Sequence, residues 1–337
     1  MSIYIKAVET YLPGPSITNE ELGEKIGFKP ELIYKLFGNK GRHFSTNIHT
    51  GKVTCTASDL IDIVIKALLQ KSSMCKSSID FIVVSTATPD YLLPTSLNEA
   101  CFKLELGNIE TYQILAGCSG AVQAIKLAHD LISCPDNDLH NGLVVGVESS
   151  FKFWDLDDDN SNKKSMKELV NYTLFGDGVG GCIVSDERDG ASVQIKDVYY
   201  KYLGLNEKPG QLANWKGTRT NIDYQPMLQE EYKLIEKMVP VLTQDTMNIL
   251  TEKLNKNPDW FMPPQLSGIM VEKICNKMGW NEKNIFTMVS DIGNCANAAL
   301  YYQLKEFSDI SFSGQSGTLI SIESSRWLSS GINMIKL

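Results

Sequence analysis

The apolar positions of this chain alternate between short continuous runs and stretches with helical spacing. Runs of about four to eight apolar residues bounded by turn residues predict buried strands, and apolar residues three and four positions apart predict amphipathic helices. The predicted strands cover residues 2–9, 81–85, 111–115, 142–147, 182–185, 193–203, 285–289, 317–322 and 331–336. The predicted helices cover residues 19–26, a short stretch from Pro30, 57–70, 96–105, 121–132, 227–256, 267–278 and 296–305.

Local signals mark several element boundaries. Thr18 followed by Glu21 has the spacing of a capping box and predicts a helix start. Pro30 suits the first position of a second, short helix. Pro240 lies inside the long helix predicted over 227–256 and is expected to kink or interrupt it.

Strands and helices alternate on both sides of about residue 186, which predicts an α/β fold of two similar halves. We assign residues 1–186 to the N-terminal half and 187–337 to the C-terminal half. The order of elements favours halves stacked around sheets with mostly parallel strands. No sequence repeat between the halves is legible, so their relationship is a hypothesis from the element order alone.

Composition narrows the classes of partner. The formal net charge is -8, and no long basic stretch is present, so nucleic acid and anionic membrane surfaces are not expected partners. No apolar run is long enough to cross a membrane, and Lys6 and Glu9 interrupt the N-terminal segment where a signal peptide would be apolar. We therefore expect a cytoplasmic protein.

The cysteines and acidic residues do not predict a metal site. None of the eight cysteines forms a C-x-x-C pair or lies at zinc-ligand spacing from a histidine, so we interpret them as reduced thiols. The acidic run at 155–159 lacks the ligand spacing and terminal glutamate of an EF-hand, and we interpret it as a solvated loop.

One cysteine stands where a nucleophile would. Cys118 follows the predicted strand 111–115 and precedes an amphipathic helix, between Gly117 and Gly120. The glycines permit a sharp turn, and a helix N-terminus with its free N–H groups favours a thiolate. The alternative is an ordinary buried cysteine among small residues.

Landmarks throughout the chain resemble the thiolase-like condensing enzymes of the ketoacyl-acyl-carrier-protein synthase III family. They occur in the same order and at similar distances, and together they span nearly the whole chain. They are Tyr11-Leu-Pro13 with Thr18-Asn19, Gly38 with Arg42-His43, Thr88-Pro-Asp90 with Pro94, Gly117-Cys-Ser-Gly120, Phe175-Gly-Asp-Gly178, Pro263 with Gln265, Gly293-Asn294 and Gly331.

The resemblance implies a five-layered αβαβα fold of two related halves, a homodimer, and a tunnel for the phosphopantetheine arm of a carrier protein or coenzyme A. It implies no cofactor beyond that phosphopantetheine-linked acyl substrate. By position, Cys118 matches the acylated nucleophile, and Asn294 matches the asparagine that binds the second thioester's carbonyl. Leu93 matches the residue that reaches into the partner's acyl pocket, and Asp177 belongs to a structural turn. Asn294 can alternatively be a helix N-cap.

The family's catalytic histidine has no counterpart here, because Pro264 occupies its position. All four histidines precede residue 141, so none comes from the C-terminal half. Proline offers neither a side-chain donor nor a backbone N–H. Loss of one such donor to a developing oxyanion lowers the rate by about 10²–10³-fold, so ordinary decarboxylative condensation is not expected.

Two further departures concern the pocket. Leu32 and Leu36 occupy positions where relatives pack an aromatic ring and an arginine against coenzyme A, so a carrier protein is the expected donor. Arg326 and Trp327 replace a glycine-rich turn and are expected to reshape the pocket mouth. Glu323 and Arg326 are candidates for new polar chemistry, or else mark the exposed end of a surface strand.

Three hypotheses follow. The first is an acyltransferase that forms a Cys118 thioester from a carrier-bound acyl group and passes it to a second nucleophile in polyketide or fatty-acid-like biosynthesis. A thiol, an amine or an activated β-keto carbon acid is the expected acceptor, since no base for an alcohol is recognisable in the sequence. The second is a carbon–carbon-bond-forming synthase that works without the histidine. The third is a non-catalytic partner subunit of an active paralogue.

Overall fold

A computed structural model of the protein describes residues 2–154, 166–202, 207–213, 228–280 and 284–337. The strands are β1 Ile3–Tyr11, β2 Ile17–Thr18, β3 Gly41–Arg42, β4 Phe81–Thr86, β5 Glu110–Leu115, β6 Asn141–Glu148, β7 Gly178–Ser185, β8 Val193–Tyr202, β9 Gln211–Ala213, β10 Leu228–Glu230, β11 Trp260–Met262, β12 Ser316–Glu323 and β13 Leu328–Lys336. The helices are α1 Asn19–Ile26, α2 Pro30–Phe37, α3 Ala57–Ser72, α4 Ser96–Lys103, α5 Gly120–Ser133, α6 Met166–Leu174, α7 Tyr232–Leu254, α8 Gly268–Met278, α9 Val289–Ile292 and α10 Ala299–Ile310.

Nine strands form one sheet, in the order β11-β12-β13-β8-β1-β7-β6-β4-β5. Strands of the N-terminal half occupy one end of the sheet and those of the C-terminal half the other, and the short β1–β8 pairing joins them. The β4–β5, β4–β6 and β11–β12 pairs are parallel, whereas β1, β7, β8 and β13 pair antiparallel. The expectation of mostly parallel sheets was therefore wrong, because antiparallel pairs join the parallel parts.

Three hydrophobic clusters give the fold its layers. Helices α5 and α10 pack together on the inner faces of both sheet ends, in a cluster that includes Ile125 and Leu304. Helices α3 and α4 cover the outer face of the N-terminal end, and α7 and α8 cover that of the C-terminal end. This arrangement confirms the five layers predicted from the sequence. It places the N-terminus of α5 beside the C-terminal half.

Most predicted boundaries are confirmed by local geometry. The Thr18 hydroxyl accepts from the Glu21 N–H at the start of α1, and α2 begins at Pro30. Pro240 lies inside α7, which continues past it to Leu254.

Two predictions around the C-terminal half were wrong, and one strand was missed. Helix α7 begins at Tyr232 and not at residue 227, because residues 228–230 pair with β9 as a short strand. The strand expected at 285–289 is only an isolated bridge at Ile285, followed by helix α9. The apolar segment Trp260–Met262 forms the edge strand instead, since it pairs with β12.

No helix of the described residues is long and apolar enough to cross a membrane. The acidic run at 155–159 lies outside the described residues.

Candidate active site

Cys118 lies at the turn between β5 and α5, as the sequence predicted. The Gly120 N–H donates to the Gly117 carbonyl at 2.8 Å and closes the turn. The Ser321 hydroxyl from β12 donates to the Cys118 carbonyl at 2.8 Å. A side chain at Gly120 would overlap Asn297 Oδ1, so this position needs a glycine. The nucleophile turn is thus held between the two halves of the protein.

The buried carboxylate of Glu148 and the buried side-chain amide of Asn297 support this turn. Asn297 Nδ2 donates to the Ala116 carbonyl at 2.7 Å and to Glu148 Oε1 at 2.6 Å. The Thr88 hydroxyl donates to Glu148 Oε2 at 2.6 Å, and the Ala87 N–H donates to Oε1 at 3.1 Å. Burial raises the pKa of Glu148 to about 7, although these bonds oppose the shift. Because both carboxylate oxygens accept hydrogen bonds, Glu148 is well suited to hold the turn.

Glu323 lies directly against the nucleophile turn. The Ser119 N–H donates to its Oε2 at 3.4 Å, and the Ser325 N–H donates to Oε1 at 3.2 Å. A side chain at Gly117 would overlap the carboxylate, so this close approach depends on glycine. Glu323 is only 5% exposed, and burial raises its pKa. The sequence left open whether Glu323 takes part in polar chemistry or lies at the exposed end of a surface strand. The second alternative was wrong, because Glu323 is buried.

The electrostatics of Cys118 differ from the expectation. Burial raises the pKa of its thiol well above the ordinary value, and Glu323, Glu148 and Glu230 raise it further. The predicted stabilisation of the thiolate by the helix N-terminus was wrong, because burial and the three carboxylates outweigh the small positive charge of the helix end. The Ser119 N–H, one of the backbone donors expected to be available, is occupied by Glu323.

Cys118 opens into three cavities, and Asn294 lines all of them. The small cavity has a volume of about 20 Å³, and Pro264 lines it together with Cys118 and Asn294. The large cavity, about 370 Å³, is bordered mainly by apolar side chains and by Gln211 and Glu230. The third, about 80 Å³, extends past Glu148 towards β10. The Cys118 side chain is partly accessible to solvent where these cavities meet it.

Asn294 is buried next to the nucleophile. Its Oδ1 accepts from the Ala296 N–H at 2.9 Å, which is the N-cap-like contact expected of an asparagine after glycine. Its backbone is fixed by bonds to Leu174 and Gly176. The side-chain bond uses Oδ1 and leaves the Nδ2 donors for a bound group.

Pro264 lies in the small cavity within a tightly held segment. The Pro263 carbonyl accepts from Gln265 Nε2 at 2.9 Å and from Gln303 Nε2 at 3.0 Å. Gln265 Oε1 also accepts the Met288 N–H at 2.9 Å. The Gln303 amide donates both of its hydrogens to backbone carbonyls, and the Gln265 amide donates one to Pro263, so both amides are used to fix the backbone.

The other three predicted pocket residues lie apart from these cavities. Leu93 is 83% exposed at the surface. Arg326 is exposed, and Trp327 is buried in the cluster of α7 and α8, where its indole donates to the Lys208 carbonyl at 2.9 Å. None of the three borders the cavities at Cys118 formed by the described residues.

Asp177 has the structural environment that its turn suggested. Its oxygens accept from the N–H and hydroxyl groups of Ser45 and Ser150 at 2.7–2.9 Å. These bonds join the loop after β3 to the segment after β6.

Sequence reasoning missed Glu148, Glu230 and Asn297 as neighbours of the nucleophile. Glu148 carried a usable signal, since it is a charged residue at the end of a long apolar run. Glu230 and Asn297 carried none, because only tertiary packing brings them to Cys118. Among the described residues no cluster of three metal-ligating side chains is present.

Comparison with known proteins gives consistent results. A family profile for 3-oxoacyl-[acyl-carrier-protein (ACP)] synthase III matches residues 112–201. The beta-ketoacyl-[acyl-carrier-protein] synthase III of Lactococcus lactis is 25% identical over 312 residues, covering 90% of this chain and 88% of the relative. That of Streptococcus suis is 28% identical over 319 residues, with the same coverage of 90% and 88%.

Solved structures extend the similarity to the whole fold. A tetronic acid condensing enzyme matches with a TM-score of 0.91 at 30% identity, covering 99% of both chains. The 3-oxoacyl-[acyl-carrier-protein] synthase III from Aquifex aeolicus matches with a TM-score of 0.82 at 19% identity over 99% of both chains, which shows the shared fold.

Proposed function

Because this chain belongs to the thiolase-like ketoacyl synthase III family of condensing enzymes, we propose that Cys118 takes up an acyl group and passes it to a second nucleophile. The observation that carries this proposal is the position of Cys118, at a turn between a strand and a helix that opens into a large cavity. Asn294 lines the same cavity, and its Nδ2 donors are suited to a substrate carbonyl.

Acylation exchanges one thioester for another. The Cys118 sulfur attacks the acyl carbonyl carbon, the bond to the pantetheine sulfur breaks, and the thiol proton is transferred to the departing thiolate. The raised pKa of Cys118 means that this proton is present at neutral pH and has to be removed as the sulfur attacks. Glu323 lies against the turn, and its charge raises the pKa of Cys118 more than the other two carboxylates do, so it is the carboxylate proposed to hold that proton in transit.

An acyl carrier protein is the proposed donor. Leu36 lines the large cavity and, like Leu32, is exposed, so these two positions offer apolar side chains and not the aromatic ring and arginine that would hold a nucleotide. The cation of this cavity wall, Lys273, is paired with Glu236. The cavity volume of about 370 Å³ suits a slender arm with a short acyl group. The similarity to a tetronic acid condensing enzyme supports a polyketide-type pathway.

Carbon–carbon bond formation is the second candidate. The similarity to a tetronic acid condensing enzyme favours a condensation reaction, since that relative shares the whole fold at 30% identity. Pro264 has no side-chain donor, and the amides of Gln265 and Gln303 are bonded to the backbone. Asn294 would therefore stabilise an enolate without a second side-chain donor. A β-keto thioester, already acidic at carbon, is the carbon nucleophile that needs least help.

A homodimer is also proposed. Strand β5, which leads to Cys118, is the last strand of the sheet and has no partner on its outer side among the described residues. Leu93 and Phe102 are each 83% exposed and Leu115 is 65% exposed. An unpaired edge with exposed apolar side chains is an association surface, and a second copy of the chain would cover it.

Sedimentation velocity tests the homodimer. The wild type should sediment as a dimer, and Leu115→Lys should shift the equilibrium towards monomer. A monomeric wild type would contradict the proposal.

Intact-protein mass spectrometry tests the acyl transfer. Wild type incubated with acyl-carrier thioesters should gain one acyl mass, and Cys118→Ala should not. Cys75→Ala is the matched control, because Cys75 is the exposed thiol of the chain's described part and would account for non-specific acylation. No adduct on the wild type would overturn the function. An adduct discharged by malonyl thioester with loss of carbon dioxide would favour the second candidate.

A further inference from the structure

Glu230 is a buried carboxylate in the wall of the large cavity. It ends β10 and pairs with Gln211 of β9, whose Nε2 donates to Glu230 Oε1 at 3.1 Å. Glu230 is only 7% exposed, and it shares the cavity wall with Cys118 and Asn294.

The second oxygen of this carboxylate has no hydrogen-bond partner among the described residues, although Glu230 Oε2 is buried. The Tyr232 hydroxyl lies near enough to Glu230 to oppose the rise of its pKa, but its hydrogen bond goes to Asn171 Oδ1. Lys273, a cation in the same cavity wall, is paired with Glu236 at 2.8 Å at the exposed rim. Leaving such a buried oxygen without a donor destabilises the protein, unless a bound molecule supplies one.

We propose that Glu230 Oε2 binds and deprotonates a hydroxyl group of the acceptor substrate, so that the acyl group of Cys118 is transferred to oxygen. This inference rests on the acyl-Cys118 function proposed above. A thiol or a β-keto carbon acid ionises without much help, whereas a hydroxyl needs a positioned base at neutral pH. The sequence offered no such base, and the structure supplies one beside the nucleophile.

The transfer balances without any further reactant. The hydroxyl oxygen forms a bond to the thioester carbonyl carbon while its proton moves to Glu230. The bond from that carbon to the Cys118 sulfur breaks, and the sulfur leaves with the electron pair. Glu230 then returns the proton to the sulfur, which yields an ester and the free thiol.

The ionisation of Glu230 suits this step. Burial raises its pKa to about 7, and the Tyr232 hydroxyl and Gln211 amide beside it oppose the shift. A base with a pKa near the working pH is the most effective. Among the described residues, Cys118, Tyr232, Glu236 and Lys273 are the other titratable groups of this cavity. The high thiol pKa of Cys118 favours the final return of the proton.

The test separates acylation from discharge. Enzyme is first acylated with a short acyl N-acetylcysteamine thioester, freed of donor, and then mixed either with the hydroxyl probe 3-hydroxypropionyl-pantetheine or with pantetheine as a thiol probe. Loss of the acyl mass is followed over time from pH 5.5 to 8.5, and the ester product is identified. The variants are Glu230→Gln, Glu230→Asp and the control Glu236→Gln, a carboxylate at the rim of the same cavity.

Glu230→Gln is expected to slow discharge by the hydroxyl probe about 100-fold and to leave thiol discharge within about threefold. The rate at which the hydroxyl probe discharges the wild type should rise as the pH passes through about 7. This rise should be absent in Glu230→Gln. Glu230→Asp should retain part of the rate, and Glu236→Gln nearly all of it.

Two outcomes overturn the inference alone: equal hydroxyl discharge by wild type and Glu230→Gln, or a wild type discharged by the thiol but not by the hydroxyl probe. Failure of the wild type to form any acyl adduct overturns the proposed function as well. Normal thiol discharge by Glu230→Gln shows that the variant is folded, so a lost hydroxyl reaction cannot be attributed to unfolding.

Discussion

Asp177 and Glu230 are both buried carboxylates, yet their surroundings differ. Two serines direct four donors at Asp177, at 2.7–2.9 Å. Within the described part of the chain, Glu230 accepts from the Gln211 amide at 3.1 Å, and its other oxygen has no hydrogen-bond partner. A carboxylate with all its acceptor sites filled joins segments of chain, whereas one with a site left open is available for a ligand or a proton.

Glu323 is intermediate between them. It accepts two backbone N–H groups, from Ser119 and Ser325, and lies against the nucleophile turn. It does not border the cavities that the described residues form at Cys118, unlike Glu230. The number of donors and the access to the cavity therefore distinguish three roles for three buried acids.

The largest expected effect is on Asp177. Asp177→Ala should lower the free energy of unfolding by about 4 kcal/mol, since it leaves the buried donors of Ser45 and Ser150 without acceptors. Urea denaturation at pH 7 measures the change. Glu236→Ala is the control, because its ion pair with Lys273 is exposed on both sides and should contribute no more than about 1 kcal/mol. Equal losses for the two variants would contradict a structural role for Asp177.

The next effect is the pH dependence of stability due to Glu230. Burial raises the pKa of Glu230 from 4.5 to about 7, so the native state keeps a proton that the unfolded chain releases in that window. The contribution of Glu230 to stability is therefore fully present below about pH 4.5 and declines as the pH rises to 7.

Glu230→Gln, which cannot ionise, should gain stability relative to wild type over the same window. The gain is on the order of 3 kcal/mol, from about 1.4 kcal/mol per pKa unit. Urea midpoints at pH 4.5 and 7.5 measure it. A constant difference between the two proteins at both pH values would show that the carboxyl group does not titrate there.

The smallest effect concerns Glu323. Glu323→Gln removes the negative charge that raises the pKa of Cys118 most after burial. A lower thiol pKa raises the thiolate fraction, so alkylation by iodoacetamide at pH 7.5 should become faster by about tenfold. The measurement uses a Cys75→Ala background, so that the exposed thiol does not contribute.

Gly117→Ala gives an independent version of this test, because the added methyl group would displace the Glu323 carboxylate. It should also speed alkylation, provided that the turn stays intact. Glu236→Gln, at the cavity rim, should leave the rate nearly unchanged. An unchanged rate in Glu323→Gln would show that this carboxyl group is not charged next to the thiol.

Local residue patterns predicted much of the structure. The strand before Cys118, the helix after it and the position of Asn294 depend on glycine turns and on apolar spacing over a few residues. The short strands β9 and β10 were missed because they are polar and make only three pairings with each other. Trp260–Met262 could not be recognised as a strand without its neighbour β12.

The sequence by itself determined the order of elements, the nucleophile turn and the absence of any histidine after residue 140. Only the tertiary structure decided the charge around Cys118. It brings Glu148, Glu230 and Glu323 to the sulfur from three separate strands. A pKa depends on burial and on charges a few ångströms away in space. For this reason the sequence pattern predicted a stabilised thiolate, whereas the folded chain holds a protonated thiol among three acids.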